Sequence, residues 1–202
     1  METMILATKN PGKAREVKEI FPELNILTMG DLNLDPEIIE SGKTFEENAL
    51  IKARAVHQAL GENAHEYAVI ADDSGIEIDY MGKMPGVYSA RYLGENTSYV
   101  YKNHVILTRL KDARGQERTA RYVAAIAVVL PDGTEHVLRD TVEGEIAYEE
   151  KGSGGFGYDP IFYVPMYGKN MAELTPDEKN AISHRGKALR RMREWLINGK
   201  YW

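Results

Sequence analysis

The order of elements along this chain predicts an α/β fold built on a mixed, elongated sheet with flanking helices. Three observations carry that prediction. The opening run, Met4 to Thr8, is a short apolar strand followed at once by a turn and an amphipathic helix, which is half of a βαβ unit. Helical spacing then alternates with short apolar strands through the first half of the chain. A long hairpin signal, Arg121 to Leu130, Pro131-Asp-Gly133 and Glu135 to Val142, dominates the middle. Crossover helices call for parallel neighbours and a hairpin for antiparallel ones, so both pairings meet in one sheet. The 202 residues suit a single domain, 1–202, of two closely fused lobes without a linker, the hairpin forming the second lobe. A cleft between two such lobes is a natural place for a ligand.

Each element has its own local reason. Met4-Ile-Leu-Ala-Thr8 reads as a buried strand and Asn10-Pro11-Gly12 as the turn behind it. From Lys13 to Phe21, Val17, Ile20 and Phe21 share a helical face that Leu24 continues. Thr44-Phe-Glu-Glu47 has capping-box spacing, with Thr44 at the N-cap. Phe45, Ala49, Ala53, Val56 and Leu60 keep the helical period behind it, and Gly61 stops the helix. Tyr67 to Ala71 reads as a second apolar strand. Ile76 and Ile78 alternate with Glu77 and Asp79, as in a half-exposed strand of their own. Ser98 to Leu110 is a polar helical stretch, and Lys151 to Asp159 a glycine-rich loop. Thr175-Pro176-Asp-Glu178 is a second capping box, with proline at the first helical position. Ser183 caps a final helix carrying Ala188, Leu189, Met192 and Leu196 on one face. No repeat or low-complexity tract interrupts this order.

Composition narrows the function. The net charge is -6, a poor match to a nucleic-acid backbone, which demands a basic face. A DNA-binding role conflicts with that balance. One small anion can still be held where a few cations converge, with help from a divalent metal. With no cysteine there is neither a disulfide nor a thiolate nucleophile. No apolar run approaches the roughly 20 residues that span a bilayer, so no membrane partner is expected. Met1 to Lys13 lacks the apolar stretch of a signal peptide, and the expected location is the cytoplasm.

Five stretches hold residues suited to chemistry. In Thr8-Lys9-Asn10-Pro11-Gly12-Lys13, amides at a strand-to-helix turn suit phosphate oxygens and Lys13 adds a point charge. The run also reads as an ordinary βα turn, and it is not a Walker A loop, since Ala14 follows the lysine. Ala71-Asp72-Asp73-Ser74-Gly75 places two adjacent carboxylates after an apolar run. Either they hold a divalent metal, or they form a solvated turn, since Asp, Ser and Gly are turn formers. Neighbours on a regular strand face opposite sides, so both reach one ligand only if the strand has ended. Glu40 has no capping role, unlike Glu47, and is the better metal-ligand candidate there, with a solvated loop carboxylate as the alternative. The loop Gly152-Ser-Gly-Gly-Phe156-Gly157-Tyr158-Asp159 sets two rings, claimed by no core pattern, among glycines, which suits stacking on a nucleobase. Lys179, His184 and Arg185 gather positive charge near a helix N-terminus, which suits an anion or a purine carbonyl.

Taken together, these segments resemble the inosine/xanthosine triphosphate pyrophosphatase family. The matching runs are ATKNPGK (Ala7 to Lys13), ESGKTFEENA (Glu40 to Ala49), ADDSG (Ala71 to Gly75), PGVYSARY (Pro85 to Tyr92), GGFGYDPIF (Gly154 to Phe162) and EKNAISHR (Glu178 to Arg185), in the family's order across nearly the whole chain. The resemblance implies two lobes enclosing a central nucleotide-binding cleft, a homodimer, Mg²⁺ as cofactor, and a deaminated purine nucleoside triphosphate as substrate, cut to the monophosphate and pyrophosphate. It implies that Thr8, Lys9, Asn10, Pro11, Gly12 and Lys13 contact the triphosphate, with Lys13 neutralising its charge. Asp73 would be general base and metal ligand, and Glu40 the second metal carboxylate. Ser74, Phe156, Gly157, Tyr158, Asp159, Lys179, His184 and Arg185 would contact substrate, and Asp72 would reach the metal through water. The runs GGFGYDPIF and ISHR argue against a pyrimidine-specific relative. The intact Asp73, Glu40 and Lys13 argue against a non-catalytic nucleotide sensor.

Overall fold

The computed structural model describes residues 2–201. Seven strands join in one sheet in the order β2-β1-β3-β4-β5-β6-β7. β1 (Thr3–Leu6) runs parallel to both β2 (Asn25–Thr28) and β3 (Ala68–Ile78). β4 (Thr119–Val129) and β5 (Glu135–Ile146) flank a tight turn at Pro131–Gly133. β5 is antiparallel to β6 (Phe162–Val164), and β6 to β7 (Lys169–Asn170). The sheet is therefore mixed and flanked by helices, as the order of elements predicts. Among the described residues five α-helices accompany it: α1 (Pro11–Ile20), α2 (Phe45–Ala59), α3 (Tyr99–Arg109), α4 (Pro176–Ile182) and α5 (His184–Asn198).

The chain divides into two compact units. The first comprises Met1–Asp73, Ala124–Asp140 and Arg185–Trp202, the second Ser74–Val123 and Thr141–His184. In the first unit the period of two along the strands sorts the side chains. Met4 and Leu6, Ala68 and Ile70, and Ala124, Ile126 and Val128 form one apolar face. Val17 of α1 and Phe21 at its C-cap, with Ala188, Leu189, Met192 and Leu196 of α5, cover it. Removing one such buried leucine costs about 2–5 kcal/mol. The odd-numbered positions face α2, where Arg54 pairs with Glu135, Arg139 with Glu46 and Lys52 with Asp73. The second unit has its own core around Ile76, Ile78, Ile106, Leu110, Ile161 and Phe162. Buried Arg118 staples it by donating to the carbonyls of Leu110, Ala113, Ile146 and Ala147.

Four local expectations are corrected. Asn10-Pro11-Gly12 is not a turn ahead of the helix. Asn10 is the N-cap and Pro11 opens α1, two residues earlier than the apolar spacing indicates. The strands expected at Tyr67–Ala71 and around Ile76 are one strand, β3, so Asp72-Asp73-Ser74-Gly75 is extended rather than a turn. Their place in the sheet between β1 and β4 and their ion pairs with buried cations outweigh the turn preference of those residues. β2, β6 and β7 have no counterpart in the sequence reading; β1 is as short as β2 but is marked by the helix signal directly behind it. At Thr44 only half of the capping box forms: Thr44 accepts from the Glu47 amide, while the Glu47 carboxylate accepts from the Lys43 amide.

Candidate active site

In the first unit the β1–α1 junction is organised by Asn10. Its Oδ1 accepts from the amides of Gly12 (2.9 Å) and Lys13 (3.3 Å), and its own amide donates to Thr8 Oγ1 (3.1 Å). The first turn of α1 contains no acidic residue, so the positive end of the helix keeps its attraction for an anion. Lys9 pairs with the exposed Asp35, a surface pair of small energetic weight.

Because β3 continues through both aspartates, they face opposite sides of the sheet. Asp72 accepts from Lys13 Nζ on one oxygen and from Arg185 Nε (2.8 Å) on the other. Burial pushes the Asp72 carboxyl up, but Lys13 and Arg185 outweigh it and hold the group well below the usual carboxylate range. Asp73 turns toward α2, where its Oδ1 accepts from Lys52 Nζ at 2.8 Å. The same ammonium lies 3.0 Å from Glu40 Oε1, so one lysine bridges the two carboxylates. Burial raises the Asp73 carboxyl, Lys52 opposes that, and Glu40 adds to it; the net direction is upward. Asp73 Oδ2 is buried and accepts no hydrogen bond. Glu40 is brought near by Asn48, whose Oδ1 accepts from the Gly42 amide at 2.8 Å. A Cβ on Gly42 would lie 2.6 Å from that oxygen, so only glycine permits the approach.

The second unit gathers a different set. Asp159 accepts from Tyr122 Oη (2.9 Å), the Phe156 amide (2.8 Å) and Lys179 Nζ (2.7 Å). Burial, and then Asp159, push the Tyr122 phenol well up, which keeps it a donor. Lys179 Nζ sits 4.7 Å from the centre of the Phe156 ring, and that ring is 68% exposed. His184 stacks on Tyr122 at 5.2 Å and 10°. Gly155 has φ +74°, and a Cβ there would collide with the Asp159 carboxylate. Gly157 follows with φ 70° and offers its carbonyl to Asn103. Tyr158 differs from Phe156: it is buried in the core, donates to the Ser89 carbonyl (2.6 Å) and meets Tyr99 edge to face. The expectation that no core claims both rings therefore holds for Phe156 only. Ser74 lies partly exposed on β3.

The structure thus groups Lys13, Asp72 and Arg185, and separately Glu40 and Asp73, in the first unit; Phe156, Asp159, Lys179 and His184 group in the second. Sequence reasoning missed Lys52, Tyr122 and Glu16, whose carboxylate accepts from Arg185 Nη1 at 3.0 Å. Lys52 left a legible signal, since Phe45, Asn48, Ala49, Lys52, Ala53 and Val56 form the buried face of α2 and a lysine in such a stripe needs a partner. Tyr122 carried only a weak signal, a hydroxyl inside the apolar run of β4.

For a divalent metal the donor set fits. Asp73 Oδ2 is a buried acceptor without a protein donor, and Glu40 is its neighbour across Lys52. Among the described residues no group of three or more acidic, histidine or cysteine side chains converges. Two carboxylates, with the remaining positions left to water and phosphate, is the habit of Mg²⁺ rather than of an all-protein cage.

Comparison with known proteins gives a consistent result. The model of the Ham1 family matches residues 4–195. The dITP/XTP pyrophosphatase of Bacillus subtilis is 46% identical over 198 residues, 97% of this chain and 98% of that one. That of Clostridium perfringens is 43% identical over 199 residues, with 97% and 98% covered. The solved Ham1 protein of Staphylococcus aureus superposes with a TM-score of 0.88 at 40% identity, covering 98% of this chain and all of the other.

Proposed function

The chain belongs to the Ham1 family, and on that premise we propose that it hydrolyses deaminated purine nucleoside triphosphates, ITP or dITP and XTP or dXTP, to the monophosphate and pyrophosphate. The observation that carries the chemistry is Asp73: a buried carboxylate with one oxygen fixed by Lys52 and the other without a protein donor. The names of the relatives supply the substrate class.

Water attacks a phosphorus already surrounded by negative oxygens, so the difficulty is charge. Asp73 and Glu40 would hold Mg²⁺, which when bound neutralises phosphate oxygens and lowers the pKa of water. Asp73 orients the water and takes its proton, a role suited to a carboxyl raised by burial. Lys13 neutralises the triphosphate and the leaving pyrophosphate beside the amides of the Thr8–Gly12 run. Lys52 keeps the Asp73 and Glu40 carboxylates side by side against their mutual repulsion.

Base selection follows from donors. Inosine and xanthosine present a carbonyl where adenine presents an amino group. Lys179, His184 and Arg185 meet the carbonyl, and the exposed Phe156 ring offers a stacking face. Adenine's amino group would face donors, and each unmatched buried polar group costs about 1–3 kcal/mol. Asp159 serves this set by holding Lys179 and the Phe156 backbone. The same reading makes the enzyme a cytoplasmic homodimer, which fractionation and sedimentation check.

The test is pyrophosphate release from a panel of triphosphates with Mg²⁺. Hydrolysis of ITP, dITP and XTP should far exceed that of ATP. Equal turnover of ATP, or orthophosphate as the product, overturns the reading.

A further inference from the structure

Asp72 is the immediate neighbour of Asp73 but keeps different company. Its Oδ2 accepts from Arg185 Nε at 2.8 Å and its Oδ1 from Lys13 Nζ. Arg185 Nη1 lies 3.0 Å from both oxygens of Glu16. Lys13 and Glu16 stand three residues apart on α1, on adjacent positions of one helical face. The four side chains thus form a chain of alternating sign, Lys13–Asp72–Arg185–Glu16, across α1, β3 and α5. Its middle pair is buried, the side chains of Asp72 and Arg185 being 2% and 7% exposed.

We propose that Asp72 is a positioning residue that couples recognition of the base to charge neutralisation at the triphosphate. The inference rests on the functional reading above, in which Arg185 meets the base and Lys13 the phosphates. Each oxygen of Asp72 is turned to a cation of the chain, so its work is to place them. A lysine ammonium rides on a flexible four-carbon stem and points reliably only when something holds it. A guanidinium gripped at Nε and Nη1 has its plane set, and with it the direction of its other N–H groups. One carboxylate shared between two cations also links them energetically. When Lys13 turns to a phosphate, the charge of Asp72 falls more fully to Arg185 and tightens its seat. The reverse holds by reciprocity, so a base that engages Arg185 well favours the placement of Lys13. Discrimination between bases is then expressed in turnover as well as in binding.

The experiment measures kcat and KM for dITP and dATP, with melting temperatures, in the unaltered chain and in Asp72→Asn, Glu16→Gln and Lys13→Met. In Asp72→Asn, kcat for dITP should fall about 10- to 100-fold, the weight of a charge-assisted hydrogen bond, with a smaller rise in KM. The preference for dITP over dATP should narrow at the same time. Lys13→Met should lose turnover and, with one end of the coupling gone, the part of the preference expressed in kcat, while the part expressed in KM stays. Glu16→Gln leaves the buried pair in place and should narrow the preference about 2- to 5-fold. It decides the matter alone if Asp72→Asn does not fold: an unchanged preference there overturns the proposal. A lowered melting temperature with kcat and preference of the folded enzyme unchanged in Asp72→Asn makes the residue merely structural and overturns it as well. If the unaltered chain releases no pyrophosphate from dITP, the functional reading falls and this inference with it. A normal unaltered enzyme beside an indifferent Asp72→Asn sinks this inference alone.

Discussion

In the first unit, polarity is buried as paired charge: Asp72 with Arg185 and Lys13, Arg185 with Glu16, Asp73 with Lys52, and Lys52 with Glu40. In the second, the candidate site is made of rings, a phenol and a backbone amide around a single carboxylate, Asp159, that pairs with one partly exposed lysine, Lys179, with Phe156 standing in solvent. The two constructions should fail differently. A buried ion pair that loses one member leaves a charge stranded, which costs about 3–5 kcal/mol. An exposed ring that is removed leaves the fold as it was. Changes in the first unit should therefore appear in turnover and stability, and changes in the second in affinity and base preference.

The strongest break of that contrast is removal of the proposed Mg²⁺. Chelation should abolish turnover without unfolding the chain, and Mg²⁺ should restore it; circular dichroism beside a pyrophosphate assay checks both halves. Next in size is Asp73→Asn. Loss of a general base typically costs about 10²–10⁴-fold in turnover, and nucleotide affinity should survive much better. Near-normal turnover, or a greater loss in Asp72→Asn, would place the base elsewhere. The same residue sets a pH limb. Burial raises the Asp73 carboxyl, and the working form is the unprotonated one, so turnover should fall as pH drops through a midpoint above the ordinary carboxylate range. Added Mg²⁺ should move that midpoint down.

In the second unit, Phe156→Ala should raise KM by the equivalent of about 1–3 kcal/mol with little change in melting temperature. An unfolded variant would make Phe156 a core residue. Tyr158→Phe is its counterpart: it strands the Ser89 carbonyl, so stability should drop by about 1–3 kcal/mol while KM stays. A KM change without a stability change would return Tyr158 to the base site. The smallest effect belongs to Lys9→Ala, where the loss of an exposed pair should stay below about 1 kcal/mol in stability. A large rise in KM there would shift the triphosphate contact outward from Lys13.

Much of this organisation was legible beforehand. Local signals are strong at Thr44 and Thr175, where a side-chain oxygen meets an orphan amide within three residues, and both caps form. Signals that depend on distant partners were not legible. Asp72-Asp73-Ser74-Gly75 has turn composition, and only Lys13, Lys52 and Arg185, far away in sequence, make an extended conformation the better one. Tyr158 lies in a glycine-rich loop, and nothing local says that Ser89 and Tyr99 claim its ring. Lys52 was readable in principle, being a charge in an apolar helical stripe, but its meaning depends on two carboxylates from other segments.

The unbroken course of β3 also sets which changes of chain length the protein tolerates. Side chains on a strand alternate in direction, so inserting or deleting one residue between Ala68 and Asp72 would exchange the two aspartates. Asp72 would face Lys52, and Asp73, the proposed general base, would face Arg185. No composition change would be needed to silence the enzyme. Length variation during evolution should accordingly gather in the short helical turns at Gly61–Glu66 ahead of the strand, or at the Pro131–Gly133 turn, where an added residue leaves that parity untouched.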